Sequence, residues 1–425
     1  MKNVLLSILQ EQVKPAMGCT EPVAIAIACA KAARELGGKV RKVDVCLSKP
    51  FFKNAGSVSI PNTGEKGILF SAGLGAVAGD PALELEIFKT VTEEDLKTVR
   101  DLIDNNCVTA SYKDSPRAVL VEAKVVSENG EAMAIITGSH TNISYLRVND
   151  KILIQDEVKD TVPVPGDSLK KYKIKYILEE VENMPYDELK FLLDGVEMNR
   201  KVAEYGLNNK TGIGIGLGMT ALLKKNILGN DIVNRVKAYV AAGSDSRMGG
   251  APLPVMTSCG SGNQGITVIL PPALVAEEIN APLEKKARAV AISHLINAYV
   301  KSYMGKLSPV CGCAVSAGLG CAAGITYLIG GTMNQSFAAM KSMLASLSGM
   351  FCDGAKGTCA YKLETAAGEA VIYSYLALEN VAIDGDQGIV DDSLEKSIQN
   401  LEFICTKSMN TVDDSMLKII TDRMK

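Results

Sequence analysis

Apolar positions follow mixed periods over the first part of the chain and an almost purely helical period over the rest. Residues 22–36, a run of small and apolar side chains, read as a helix; residues 39–47, with Val43 and Val45 two apart, read as a strand. Residues 92–103 predict a second helix, with Thr90 or Thr92 placed to cap it and Glu93 and Glu94 in its first turn. Residues 118–126 and 132–137 read as strands joined at Ser127-Glu128-Asn129-Gly130-Glu131, a hairpin signal, and residues 143–149 as a third. From Tyr172 onward the pattern predicts helices over 168–181, 186–205, 215–226, 231–243, 282–304, 333–350 and 393–409. The prediction is an α+β N-terminal domain, residues 1–170, and a mostly α-helical C-terminal domain, residues 171–425, with residues 159–170 as connector. A length of 425 residues agrees with two cores rather than one.

Two uncharged stretches, 248–276 and 307–340, are long enough to cross a bilayer. Pro252, Pro254, Pro271 and Pro272 interrupt the first, and glycines with Asn334 and Gln335 the second, so both are expected to be buried parts of a soluble domain. The apolar start of the chain runs into Gln10-Glu11-Gln12 where a signal peptide would carry small residues. An amphipathic first helix and a cytoplasmic location are expected. A formal net charge of −3 gives no reason to expect nucleic acid or an anionic membrane as partner, and the absence of Trp argues against base stacking. The expected partner is a small amino-acid substrate, with a homo-oligomer left open.

Cysteine and histidine change the picture most. Eleven cysteines, an odd number without a secretion signal, do not suggest a disulfide framework, and Cys311-Gly312-Cys313 is too close to bridge without strain. Cys29, Cys46, Cys107 and Cys405 read as small core residues. The others cluster in Ser308-Pro-Val-Cys311-Gly-Cys313, with Cys321 beyond, and in Gly349-Met-Phe-Cys352-Asp353-Gly354-Ala-Lys356-Gly357-Thr358-Cys359. Thiolates are the usual ligands of iron–sulfur clusters, and glycines let backbone amides approach them; buried structural thiols are the alternative. Only His140 and His294 exist, so a multi-histidine metal centre is unavailable. His294 reads as a core or surface residue. His140, in Gly138-Ser-His-Thr-Asn142, reads as either a turn or a site residue.

Three further segments carry polar groups suited to a site. Cys259-Gly-Ser261-Gly-Asn263-Gln264-Gly265 opens an apolar helix, where amides can hold a carboxylate or where Ser261 or Asn263 is merely a cap. Gly18-Cys19-Thr20-Glu21-Pro22 begins another helix, which lowers a thiol's pKa and makes Cys19 a candidate base or nucleophile; an inert thiol in a capping turn is the alternative. Gly243-Ser-Asp245-Ser246-Arg247-Met248-Gly249-Gly250 reads as a charged turn whose Arg247 either binds a carboxylate or pairs with Asp245. Gly212–Gly218 lacks a phosphate-loop order and reads as a close-packed helix start, and Lys53-Asn54-Ala-Gly56 with Ile60-Pro61-Asn62-Thr63-Gly64 as polar loops facing a cleft.

Taken in order, Gly18–Pro22, Ser244–Gly250, Ser261–Gly265 and the two cysteine motifs resemble the L-cysteine desulfidase family, related to the oxygen-labile iron–sulfur L-serine dehydratases. The likeness runs over essentially the whole chain. It implies a serine dehydratase-like fold, a [4Fe–4S] cluster, and conversion of L-cysteine to pyruvate, ammonia and hydrogen sulfide. By position it implies Cys352 and Cys359 as cluster ligands, with Cys313 or Cys311 as the third; the eight-residue spacing from Cys313 to Cys321 favours Cys313. Gly349-Met-Phe-Cys352-Asp353 is similar to a dehydratase "GMTCDP" motif, and Cys259–Gly265 to a Thr-Asn-Gly substrate loop. Cys19-Thr20 stands where the dehydratases carry the His-Thr of an "SSSHT" motif, a departure that favours cysteine over serine. With three cysteine ligands one iron would stay open as a Lewis acid for the leaving group. Cys19 would then take the Cα proton, Arg247, Ser261 and Asn263 would hold the carboxylate, Gln264 and His140 would line the substrate site, and Lys356 would help electrostatically. Pyridoxal phosphate is not needed. The same elimination on L-serine and a non-catalytic redox or amino-acid sensor are the competing expectations.

Overall fold

The computed structural model describes residues 1–61, 63–156, 166–305 and 307–423 of this mixed α/β protein. Most of the expected connector, residues 159–165, lies outside the described residues, as does Asn62. The chain forms two compact units, and neither is one continuous stretch. A helical unit takes in Met1–Ala16, Pro163–Cys352 and Gly357–Asn410, and a sheet-bearing unit Met17–Val162, Asp353–Lys356 and Thr411–Lys425.

The sheet-bearing unit is built on six strands in the order Val108–Lys113, Val40–Ser48, Leu120–Ser127, Gly130–Thr137, Ile143–Val148, Lys151–Gln155. The first pair is parallel and the others antiparallel. Parallel pairing needs a long crossover, here the helices Lys49–Ala55, Gly67–Ala78 and Glu93–Asp104. Val43, Val45 and Leu47 alternate inward and meet Val121, Ala123 and Val125, together with the buried residues of the Thr20–Leu36 helix. Thr92 caps the Glu93–Asp104 helix in a reciprocal capping box with Asp95. Lys53, expected in a loop, lies instead in the Lys49–Ala55 helix, where its ammonium is buried and pairs with Asp413 at 2.6 Å.

In the helical unit, Leu283–Met304 and Val315–Leu328 pack closely. A Cβ added at Gly320 would lie 2.3 Å from Ser293 O, and one at Gly324 would lie 2.6 Å from Ala289 O, so only glycine allows this approach. The uncharged 307–340 stretch is thus explained by a tight helix pair, with Met333–Leu347 alongside. Pro271 and Pro272 lie inside the Gly262–Glu278 helix. Among the described residues no helix is long and apolar enough to cross a membrane.

Several predicted elements shift for physical reasons. The 168–181 helix is divided: a 3-10 turn, Asp167–Lys171, precedes Ile174–Asn183. The 393–409 helix ends at Phe403 and continues as a π turn, Ile404–Ser408. The Asp245–Arg247 segment is no turn: it continues the Ile232–Met248 helix. Asp245 is buried there and accepts N–H bonds from Gly216 at 3.0 Å and Ile213 at 3.2 Å, satisfying the start of the Ile215–Lys224 helix. Desolvation pushes its carboxyl pKa up, while those amides hold it down. The charge in this segment is therefore used inside the fold.

Candidate active site

Four of the expected thiols come together in the helical unit. An isolated antiparallel bridge between Val310 and Phe351 aligns their two loops: Cys311 N–H donates to Met350 O at 2.8 Å and Cys352 N–H to Pro309 O at 2.6 Å. Cys311 O then accepts from Ala314 and Val315, starting the Val315–Leu328 helix, and Cys359 is the first residue of the Cys359–Leu378 helix. Positive helix starts favour thiolates. Cys311 and Cys313 share a hydrogen bond, which holds Cys311 down at about 6 against the upward push of burial. That bond, burial and the negative neighbours Cys311, Cys359 and Cys352 all raise Cys313.

Among the described residues no group of three or more His, Cys, Asp or Glu is posed to enclose a single metal ion. A single ion needs donors within about 2.3 Å of one point. Cluster thiolates each bind a different iron and need not converge so tightly. A soft, all-sulfur, partly ionised donor set beside two helix starts fits an iron–sulfur cluster, with Cys313, Cys311, Cys352 and Cys359 as the residues that could hold it.

The Gly262–Glu278 helix begins beside these thiols. Ser261 Oγ accepts from Gln264 N–H at 3.4 Å, a true cap, and also stands 3.9 Å from Cys313 Sγ. Arg247 lies against the same helix start: a Cβ at Gly262 would fall 2.3 Å from its Nε. A guanidinium at the positive end of a helix is an unfavourable neighbour unless an anion joins them. Asn263 is buried, and its Nδ2 donates to Met248 Sδ at 3.5 Å, while Oδ1 has no partner among the described residues.

The polar face of the Leu283–Met304 helix borders this region and was missed in the sequence. His294, Asn297 and Lys301 are one turn apart and all buried. His294 Nδ1 and Ser258 Oγ are 2.9 Å apart, and burial lowers the imidazole pKa to about 3, so it is neutral. Asn297 Nδ2 is within donating distance of Ser258 Oγ at 2.9 Å, Gln264 Oε1 at 3.1 Å and Cys259 Sγ at 3.5 Å. Cys259 itself has a left-handed backbone, φ 50°, and burial raises its thiol to about 12. Among the described residues His294 Nε2 and Asn297 Oδ1 have no partner. The available signal was His-x-x-Asn-x-x-x-Lys at helical spacing within otherwise apolar sequence. Cys321 belongs to the dry core, its pKa raised by burial alone.

Cys19, His140 and Lys356 belong to the sheet-bearing unit. Cys19 is buried and is the N-cap residue of the Thr20–Leu36 helix without a side-chain capping bond. The segments read as polar loops do reach this turn: Pro61 packs on Gly18, and Asn54 Nδ2 donates to Glu21 Oε1 at 3.3 Å. His140 lies against the Phe51 ring, centroids 5.7 Å apart. Lys356 is held within its own loop, 2.6 Å from Asp353 Oδ1 and donating to the Asp353 and Gly354 carbonyls.

The thiols are gathered beside an anion-ready helix start, and the comparison with known proteins gives the class, a lyase of the serine dehydratase type. The chain belongs to the serine dehydratase alpha-chain family, whose profile matches residues 82–418. Its relatives include a UPF0597 protein of Clostridium botulinum, 43% identical over 416 residues, covering 98% of this chain and 96% of the relative. Another, from Clostridioides difficile, is 39% identical, covering 99% and 100%, and a third, from Caldanaerobacter subterraneus, is 41% identical, covering 98% of each. The matched stretch includes every cysteine of the thiol group, together with Arg247, Ser261 and Lys301, but not Cys19.

Proposed function

We propose that the protein is a cytoplasmic, [4Fe–4S]-dependent lyase that eliminates the β-substituent of L-cysteine, giving hydrogen sulfide, ammonia and pyruvate. The observation that carries this reading is the gathering of Cys311, Cys313, Cys352 and Cys359 beside the Ser261 helix start. The serine dehydratase alpha-chain family is typically iron–sulfur dependent, which supports it further. Cys352, Cys359 and Cys313 are the assigned ligands; Cys313 is favoured over Cys311 because Ser261, Cys352 and Cys359 all neighbour it. The bound cluster would supply a Lewis-acidic iron for the leaving group. Arg247 and the amides at Ser261–Gln264 bind and orient the carboxylate, with Asn263 and Gln264 fixing the amino-acid backbone. Cys19 is assigned removal of the Cα proton, and His140 a place in lining the substrate site. Lys356, its ammonium held within its own loop by Asp353, is assigned electrostatic help. The enamine product leaves, becomes the imine and hydrolyses without the protein's help. The helical unit, Met1–Ala16, Pro163–Cys352 and Gly357–Asn410, is proposed as the cluster-binding unit.

The substrate choice rests on cysteine standing at position 19 where the dehydratases resembled carry histidine. Anaerobic purification with iron and sulfide analysis, followed by assays on L-cysteine and L-serine, tests both parts. Cluster uptake with faster turnover of cysteine is expected. Equal or better turnover of serine overturns the substrate assignment alone, and failure to take up a cluster after reconstitution overturns the cofactor.

A further inference from the structure

Lys301 poses a physical problem. Only 4% of its surface is exposed, and the groups that face its ammonium are thiols rather than carboxylates. An isolated buried cation costs several kcal/mol and is normally paired. Around it instead stand Cys259, Cys311, Cys313 and Cys352, all within electrostatic reach, and Cys405 from the π turn. Its Nζ and Gln264 Nε2 converge on Gly312, the residue between Cys311 and Cys313. A Cβ there would lie 3.2 Å from Lys301 Nζ and 3.3 Å from Gln264 Nε2, so glycine leaves a small space between two N–H donors and the thiol loop.

We propose that Lys301 is the counter-cation of the thiol group, a positioning residue that, with Gln264, donates hydrogen bonds across Gly312 to the anionic sulfur assembly held by Cys313, Cys352 and Cys359, with Cys311 beside it. The role deepens the iron–sulfur reading and rests on it for the identity of the assembly. Its ammonium faces the thiol loop across Gly312, which ties the charge to the sulfur group rather than to the fold. A lysine kept for stability would be matched by a carboxylate, as Lys53 is by Asp413.

The test compares wild type, Lys301→Met, Lys301→Gln and Lys301→Arg after anaerobic reconstitution. Iron-free Lys301→Met is expected to fold and to melt no lower than wild type, because an apolar side chain replaces a buried charge. Loaded with iron and sulfide, the Met and Gln variants should lose the cluster to a chelator about 10- to 100-fold faster, the usual range for an outer-shell partner. Their cluster potential should move negative, and Lys301→Arg should recover most of both. Wild-type loss rate and potential in the Met and Gln variants overturn the proposal, as does an unchanged cluster with only KM for the amino acid raised, which would make Lys301 a carboxylate ligand. If wild type takes up no cluster, the iron–sulfur reading fails separately. The counter-cation role is then decided by iodoacetamide labelling of Cys311 and Cys313 in the iron-free proteins: slower labelling in Lys301→Met upholds it, and equal rates overturn it.

Discussion

One helix, Leu283–Met304, carries two faces that are equally buried and chemically opposite. Toward Val315–Leu328 it presents Ala289 and the backbone of Ser293, approached by Gly320 and Gly324 with no room for a side chain. Its other face presents His294, Asn297 and Lys301 to Ser258, Cys259, Gln264 and the thiol loop. The dry face is satisfied by dispersion and close packing, which need no partner beyond shape. The polar face retains unpartnered atoms at His294 Nε2 and Asn297 Oδ1. Buried polar groups left without partners are the mark of a site rather than a core. Burial alone therefore says nothing about role; the unmet hydrogen-bonding capacity does.

The largest effect expected from breaking this contrast is on the thiols. Cys352→Ser or Cys359→Ser should abolish cluster retention and turnover, read by iron content and hydrogen sulfide release. Cys321→Ala, in the dry core, should retain both with only a lower melting temperature. On the dry face, Gly320→Ala forces a methyl against the backbone of Ser293 and should cost about 3 kcal/mol in chemical denaturation, the upper part of the overpacking range.

On the polar face, His294 makes stability depend on pH. Its folded pKa of about 3 lies below the ordinary value of 6.5, so the unfolded chain binds more protons between those values. Stability from this group is present above pH 6.5 and lost as pH falls; between pH 7 and 5 the loss is about 2 kcal/mol. His294→Gln should remove that part of the acid sensitivity. Asn297→Leu leaves Ser258 Oγ and Gln264 Oε1 without their shared donor and should cost about 1–2 kcal/mol. If it stabilises instead, the unmet Asn297 Oδ1 outweighs the bonds its amide donates. Thr92→Ala, in the sheet-bearing unit and away from both faces, should cost only about 1 kcal/mol through loss of the capping box.

Elements with strong local signals were legible in the sequence. The Glu93–Asp104 helix announced itself through Thr92 and its acidic first turn, and the Leu120–Ser127 and Gly130–Thr137 hairpin through Asn129-Gly130. The Cys359–Leu378 helix was not predicted: its small and apolar residues are spread around the axis, so no amphipathic period marks it. The Asp245–Arg247 turn was misread because charged residues normally interrupt a buried helix. Here Asp245 is retained by amides from a segment about thirty residues earlier, which local pattern cannot show.

The same division holds for the site. Residue type and order alone determined the thiol chemistry: eleven cysteines, two histidines and spaced Cys-Gly-Cys and Cys-x₆-Cys motifs leave sulfur as the available soft ligand. They also singled out Ser261, Asn263 and Gln264, because helix starts rich in small polar residues are recognisable locally, and Arg247 as a charge at the edge of an uncharged stretch. Only the tertiary structure decided that Val310 and Phe351 would bridge and bring the two cysteine loops together. Only it turned His294, Asn297 and Lys301 from interruptions of an apolar helix into the polar border of that site. Hydrogen-bond satisfaction and charge pairing are properties of neighbours in space, and a linear pattern does not contain them.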